Sequence, residues 1–467
     1  MNSTKRFIEE VKKGNVDLDD FYSKLVGELK KTDKEFHYFS KLDEEHLSNQ
    51  LKNFSSGGKL AGLPVSVKDC ICVKGLETRA SSRILTGYKP PFDATVVEKI
   101  RKEGGIVIGK TVQDEFGFGG FSVNVGLGFQ VPLNPFDKKR STGGSSGGSG
   151  GLTQAISVPH ISLGESTGGS IVNPASFCGV VGLCPTYGRV SRYGLLDYGN
   201  SLDKIGPMSR NVEDAALMLE VISGYDEKES TSLNEKVPNY SDSVGKSVKG
   251  MKVGIIKEAF GEGVDDKVEK KVKDGVKKLE SKGAKVEEVS LPISIKYGIP
   301  TYYLIATSEA STNLAKYCGM RYGMEEKLEG NFNQYFTAVR SKHFGKEAKR
   351  RIILGTFARM AGFREAYYMK AMKVRTKIIE EYKKAFKSFD ALVCPTVPIL
   401  PPKFEEIDKL TILQNYMIDV MTVGPNLAGL PHMNIPVGFE GKLPVGLMLI
   451  ADHLKEEKLI QLGSALE

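Results

Sequence analysis

The chain has 467 residues, 40% hydrophobic and 26% charged, a globular balance that excludes a disordered or fibrous polypeptide and leaves room for about three domains or one large sheet-based domain. Lysine and arginine number 65 against 57 acids; a formal charge of +8 over this length reads as a solvated, lysine-rich surface before it reads as a nucleic-acid patch. No segment approaches the ~18 uninterrupted apolar residues of a membrane span, and residues 1–14 carry no leader-like apolar core, so a cytoplasmic protein without membrane contact is expected.

Phe7 and Val11, then Leu18, Phe21, Leu25 and Leu29, recur at helical spacing and predict two helices, a helical layer over about residues 1–50. Residues 64–73, with Val65, Val67, Ile71 and Val73, predict a buried strand or strand end that also carries Lys68 and Asp69. Cys70 and Cys72 read as small core residues on one face of that strand. Residues 94–103 predict an amphipathic helix and 106–108 a strand behind Gly104 and Gly105. Residues 142–151 collapse to glycine and serine; alone, they read more readily as a linker than as a catalytic element. Residues 155–163 return to strand character before a second cluster, residues 164–171. Residues 226–249 suit a surface loop, and 253–256, a charged helix through Lys282 and 286–291 form a β-α-β unit. A mainly helical stretch covers about 303–388, and 391–394 is an apolar strand before a proline cluster. Strands and helices alternate at both ends without an internal repeat, which predicts an α/β architecture.

Residues 104–111 match GxxxxGK[ST] letter for letter. A phosphate cradle needs a strand before its first glycine and a flexible loop after it; here a charged helix precedes Gly104, and Ile106, Val107 and Ile108 favour burial as a strand. The match is therefore read as a decoy. The six cysteines show neither CxxC nor zinc spacing, and the six histidines are isolated, so neither a metal site nor a histidine-based triad is signalled.

The first glycine and serine cluster contains a GxSxG match centred on Ser146, a weak signal without partner His and Asp. The second, Gly164-Glu165-Ser166-Thr167-Gly168-Gly169-Ser170-Ile171, follows a strand, and its glycines let backbone approach a reacting atom. Amides of Thr167, Gly168, Gly169 and Ser170 would form an oxyanion hole, with Ser170 as nucleophile. The candidate base is Lys68, whose apolar neighbours would disfavour its ammonium form; a simple pairing with Asp69 is an equal alternative.

Leu60-Ala61-Gly62-Leu63-Pro64-Val65-Ser66-Val67-Lys68-Asp69, Gly143-Gly144-Ser145-Ser146-Gly147-Gly148-Ser149 and Gly168-Gly169-Ser170-Ile171 together resemble the amidase signature family. The resemblance implies one large domain over residues 1–467, with a central mixed β-sheet covered by helices on both faces. It also implies a Ser-cisSer-Lys triad in which Ser170 attacks an amide carbonyl, Ser145 relays the proton and Lys68 is the ultimate base. Further stretches, residues 182–191, 201–207, 344–352 and 426–431, are most similar to the A subunits of glutamyl-tRNA(Gln) and aspartyl-tRNA(Asn) amidotransferases. That likeness implies a glutaminase working with the B and C subunits on misacylated tRNA, with no cofactor in this chain and ATP and Mg on the partner; a stand-alone amidase is the alternative.

The likeness maps glutamine recognition onto Tyr302, onto Arg351 for the α-carboxylate and onto Asp419 for the α-ammonium. A zwitterion calls for one fixed cation, one anion and a hydrogen-bonding hydroxyl. Without the resemblance, Arg351 beside Lys349 and Arg350 reads equally as a solvated helix face, Tyr302 as core and Asp419 as a helix-surface acid. The chain departs from the family pattern at Ser166, where Asp is usual, at Val172, where Arg is usual, and by one extra residue between the serine clusters.

Overall fold

The computed structural model describes residues 3–467. The apolar runs become β1 (Phe39–Lys41), β2 (Pro64–Lys68), β3 (Ile106–Thr111), β4 (Ile161–Ser166), β5 (Val181–Cys184), β6 (Lys204–Ser209), β7 (Lys252–Ile256), β8 (Lys285–Val289), β9 (Ala391–Pro395), β10 (His432–Glu440) and β11 (Leu443–Ala451). They form one eleven-stranded sheet in the order β1-β3-β2-β4-β6-β5-β10-β11-β9-β7-β8. β2 is parallel to β3 and β4, and β7 to β8 and β9; the other neighbours are antiparallel. This is the α/β, mixed-sheet architecture expected of the chain.

Successive residues of β10 show how the sheet buries both of its sides. Met433 and Ile435 pack on Gly463 of the helix Glu456–Leu466, whereas Asn434 lies against Gly446 on the opposite face, which Ser176 of the helix Val172–Phe177 also approaches. A strand alternates its side chains across the sheet, so where helices cover both faces, as over β2 to β6, β9 and β11, every position is buried, whereas the edge strand β8 has no buried residue.

Several local expectations change. The N-terminal layer has three helices, Thr4–Lys12, Leu18–Phe36 and Glu44–Lys52, as well as β1. The third was missed because it buries only Leu47, too sparse a stripe for helical periodicity, although Asp43 caps it through the His46 amide. The mainly helical stretch opens earlier, at Pro292, in a helix running to Asn313. The first glycine and serine cluster is no linker. Gly147–Ala155 is a helix, and a Cβ at Gly148 would stand 2.6 Å from the carbonyl oxygens of Tyr38 and Val112. Glycine is a poor helix former, but here only glycine permits the backbone approach, so packing overrides propensity. Ala155 thus ends a helix, and β4 begins only at Ile161.

Residues 106–111 form β3, and Lys110 is wholly buried, its ammonium held by the Ile71 carbonyl and by the Thr78 hydroxyl at 3.2 Å. No phosphate loop exists there. Cys70 and Cys72 are buried, but they follow the end of β2 and so do not share a strand face.

Candidate active site

β2 ends at Lys68 and its parallel neighbour β4 at Ser166, so the segments leaving them share one carboxyl edge of the sheet, the usual place for ligands in α/β proteins. Lys68 is wholly buried. Its Nζ lies 2.7 Å from Ser145 Oγ, 2.9 Å from the Glu165 carbonyl oxygen and 2.8 Å from Glu165 Oε2. Three acceptors match the three protons of an ammonium group. The purely apolar surroundings expected for Lys68 are therefore corrected: a carboxylate stands against it. Nor is that carboxylate Asp69, which accepts the amides of Ser81 at 2.7 Å and Arg79 at 3.3 Å and whose pKa is pushed up by burial.

The Gly144–Ser145 peptide bond is cis. A Cβ at Gly144 would stand 2.6 Å from the Ser122 nitrogen and collide with Asp114. Asp114 underlies this segment. Its amide donates to the Ser145 carbonyl at 3.2 Å, its carboxyl accepts the amides of Asn124 at 2.8 Å and Ser122 at 3.1 Å, and burial pushes its pKa up to about 7.

Ser170 is 7% exposed, and its carbonyl accepts the Ser146 amide at 3.2 Å, which stitches the two glycine and serine clusters together. The Lys68–Ser145 hydrogen bond is present, but none joins the hydroxyls of Ser145 and Ser170 in this geometry. Among the described residues, the amides of Thr167, Gly168, Gly169 and Ser170 donate to no protein acceptor. The Gly168 carbonyl is held by Asn426 Nδ2 at 2.6 Å and the Gly169 carbonyl by the Asn173 amide at 2.8 Å. Across a trans peptide the carbonyl and the next N–H point opposite ways, so these two bonds also aim the Gly169 and Ser170 amides. A Cβ at Gly168 would stand 2.7 Å from Tyr302 Cζ, which explains the glycine. Of the family departures, Ser166 is buried with its hydroxyl unpartnered, and Val172 sits in the core.

The helix Lys346–Arg359 crosses Pro292–Asn313 so closely that a Cβ at Gly355 would collide with the Thr307 carbonyl. One turn before that contact, Arg351 is turned inward and is 2% exposed, while Lys349 faces solvent. Its guanidinium lies 5.1 Å from the Phe118 ring centroid, 5.2 Å from Tyr303, 5.6 Å from Tyr198 and 5.6 Å from Tyr416, an aromatic cage suited to a cation. Nε donates to Glu347 Oε1 at 2.9 Å and Nη1 to the Tyr198 hydroxyl at 2.5 Å; among the described residues, Nη2 has no hydrogen bond. Tyr302 is buried, its hydroxyl 3.5 Å from that of Tyr198.

Asp419 lies on the turn Met417–Asp419, buried rather than on a helix surface, and accepts from Asn173 Nδ2 at 2.6 Å and from the Tyr303 hydroxyl at 3.2 Å. Burial pushes its pKa up to about 6, against those two hydrogen bonds and the charge of Arg351. Tyr303 therefore joins the pocket's cation, by its ring, to the anion, by its hydroxyl. Sequence reasoning missed Glu165, Asp114, Glu347, Tyr198, Tyr303 and Asn173. Glu347 was legible as the i−4 partner of Arg351, and Tyr303 as the neighbour of Tyr302; Asp114 carried no local signal.

Residues 24–460 match the amidase family. The chain is 49% identical over 411 residues to the A subunit of the glutamyl-tRNA(Gln) amidotransferase of Microcystis aeruginosa, covering 87% of this chain and 83% of that one. It is 45% identical over 460 residues to the protein of the same name from Halothermothrix orenii, covering 98% and 94%. The crystal structure of the namesake from Thermotoga maritima superposes with a TM-score of 0.80 at 38% identity, covering 97% of this chain and 92% of that one. With the matching residues spanning the sheet, the glycine and serine clusters and the aromatic pocket, the chain belongs to the amidase family.

Proposed function

We propose that this chain is the glutamine-hydrolysing A subunit of a tRNA-dependent amidotransferase. Its relatives are named as A subunits of glutamyl-tRNA(Gln) amidotransferases, and the charged groups around Tyr303 suit free glutamine. Ser170 Oγ adds to the side-chain carboxamide carbon while its proton passes by Ser145 to Lys68. The oxyanion is received by amides from the Thr167, Gly168, Gly169 and Ser170 set. Collapse releases ammonia and leaves a γ-glutamyl ester, which water hydrolyses as Ser145 and Lys68 move the proton back.

The observation that carries the reading is the pair Arg351 and Asp419. Both are buried, they are opposite in charge, and both touch Tyr303 beside the Ser170 segment. The unpaired Nη2 of Arg351 is free for an α-carboxylate, Asp419 suits an α-ammonium, and the Tyr302 hydroxyl lines the same space. A plain aliphatic amide would leave both charges unused.

In the assembly, ammonia passes to the B subunit, with the C subunit as the third partner. ATP and Mg belong to the partner that activates Glu-tRNA(Gln) or Asp-tRNA(Asn), and the complex works in the cytoplasm. The test is ammonia release from glutamine by the purified chain, with and without its partners and aminoacylated tRNA. Ser170→Ala should abolish it; undiminished release by that variant in the assembled complex would refute the reading. Arg351→Ala should lose glutamine turnover selectively. Glutamine turnover left undiminished by Arg351→Ala, with hydrolysis of a simple aliphatic amide intact, would favour a broad stand-alone amidase.

A further inference from the structure

The carboxylate beside Lys68 continues into a second hydrogen-bonded chain. Glu165 Oε2 faces Lys68 Nζ at 2.8 Å, Glu165 Oε1 lies 2.9 Å from Thr167 Oγ1, and that hydroxyl lies 2.7 Å from Asp203 Oδ1. All four residues are buried. A hydroxyl has one proton and can donate to only one of two carboxyls, so both contacts are hydrogen bonds only when one carboxyl brings its own proton. Asp203 is that group: burial first, then the adjacent Glu165, push its pKa well above the usual carboxylate range, against the charge of Arg192 and the Gly199 amide that it accepts. Asp203 then donates to Thr167 and Thr167 to Glu165, whose other oxygen accepts from Lys68 Nζ.

A lysine held as ammonium cannot take a proton from a hydroxyl, so a place for its own proton is needed before it can act. We propose that Glu165 is the proton acceptor that turns Lys68 into a base, by a neutral amine and carboxylic acid pair, with Thr167 and Asp203 positioning the second oxygen of Glu165. The proposal rests on the glutaminase reading. In the step, an N–H bond of Lys68 breaks as an O–H bond forms on Glu165 Oε2. The freed pair on Nζ takes the proton of Ser145, whose oxygen takes that of Ser170. The Ser170 oxygen bonds to the carbonyl carbon, and the carbonyl π pair moves onto oxygen. When the adduct collapses, the C–N bond breaks and the leaving nitrogen takes its proton from Ser145, which is resupplied by Lys68. No proton crosses to bulk water. Within a buried pair the two tautomers differ by one transfer over a short hydrogen bond, and low polarity narrows the advantage of the charged form.

The test compares Glu165→Gln with the unaltered chain, both assembled with their partners. Glutamine keeps the size and an oxygen acceptor for Lys68 but cannot take its proton. Glutamine hydrolysis should lose on the order of 10²-fold in kcat, with KM changed by less than about threefold. The rate of the variant should rise about tenfold per pH unit on the alkaline side, where hydroxide must deprotonate Lys68, while that of the unaltered chain is level. Glu165→Asp should recover part of kcat and the level profile. Unchanged kcat, or a lower kcat with an unchanged pH profile, overturns the proposal. Acylation of Ser170 by an aryl ester, which needs no glutamine pocket, is measured alongside. An unaltered chain that is acylated by the ester but releases no ammonia from glutamine refutes the glutaminase reading, while the Glu165→Gln comparison on the ester still decides the role of Glu165. A chain inert to both refutes the two together.

Discussion

Binding of a zwitterion between Arg351 and Asp419 would place a pH-dependent demand on Asp419. Burial raises its pKa to about 6, so Asp419 is a carboxylate at neutral pH and a neutral acid below that value. If the α-ammonium of glutamine binds that anion, as proposed, the KM for glutamine should scale as one plus the ratio of protonated to ionised Asp419. Between about pH 7 and about pH 5 that factor grows roughly tenfold. Asp419→Asn removes the charge but keeps an oxygen for Tyr303. Losing one partner of a buried charge pair costs about 2 kcal/mol or more, so KM at neutral pH should rise roughly 30-fold or beyond. It should also become flat across the acid range. The assay is initial-rate ammonia release over that range for both proteins, repeated with the glutamine analogue that lacks the α-amino group. The analogue should show neither the pH dependence nor the penalty. A flat KM in the unaltered chain, or an unchanged KM in Asp419→Asn, would refute the assignment of Asp419 to the ammonium.

Gly168→Ala would place a methyl group 2.7 Å from Tyr302 Cζ and 2.8 Å from its hydroxyl. Overpacking of this kind costs about 1–3 kcal/mol, so the melting temperature should fall and kcat/KM should drop about tenfold or more as the Gly169 and Ser170 amides shift. An alanine variant with full activity would contradict the contact. Asp114 has its pKa raised from 3.8 to about 7 by burial, so the folded chain keeps a proton that the unfolded chain releases. Its contribution is thus greatest in acid and falls by about 1.4 kcal/mol per pH unit from about pH 4 to about pH 7, then levels. The stability at about pH 5 minus that at about pH 7, from urea titrations, should therefore be about 2 kcal/mol smaller in Asp114→Asn than in the unaltered chain, and an equal difference would refute the sign. Lys68→Met strands the Glu165 carboxylate in the interior and should cost about 3–5 kcal/mol of stability, much of it regained on adding Glu165→Gln. Failure of the second substitution to recover stability in denaturant titrations would show that the two side chains are not energetically paired.

Local pattern determined a good deal of this protein. Apolar β-branched runs set β2, β3, β7 and β9 close to their observed positions, and the β-α-β unit from Lys252 to Val289 was readable because periodicity is a property of neighbouring residues. The motifs likewise placed Lys68, Ser145 and Ser170 in order along the chain. The contacts that give those residues their chemistry depend on distance in space. Lys68 finds Glu165, 97 positions away, instead of the adjacent Asp69; Arg351 finds Tyr198 across 153 positions; and Asn173 reaches Asp419 across 246. The glycines of Gly147–Ala155 had the composition of a linker until the backbones of Tyr38 and Val112 closed on them, and Lys110 had the letters of a phosphate loop until β3 buried it. Short-range preferences are worth fractions of a kcal/mol per residue, whereas a buried charge or a backbone clash costs several. Those stronger effects exist only once the sheet is assembled, and they decide what each motif becomes.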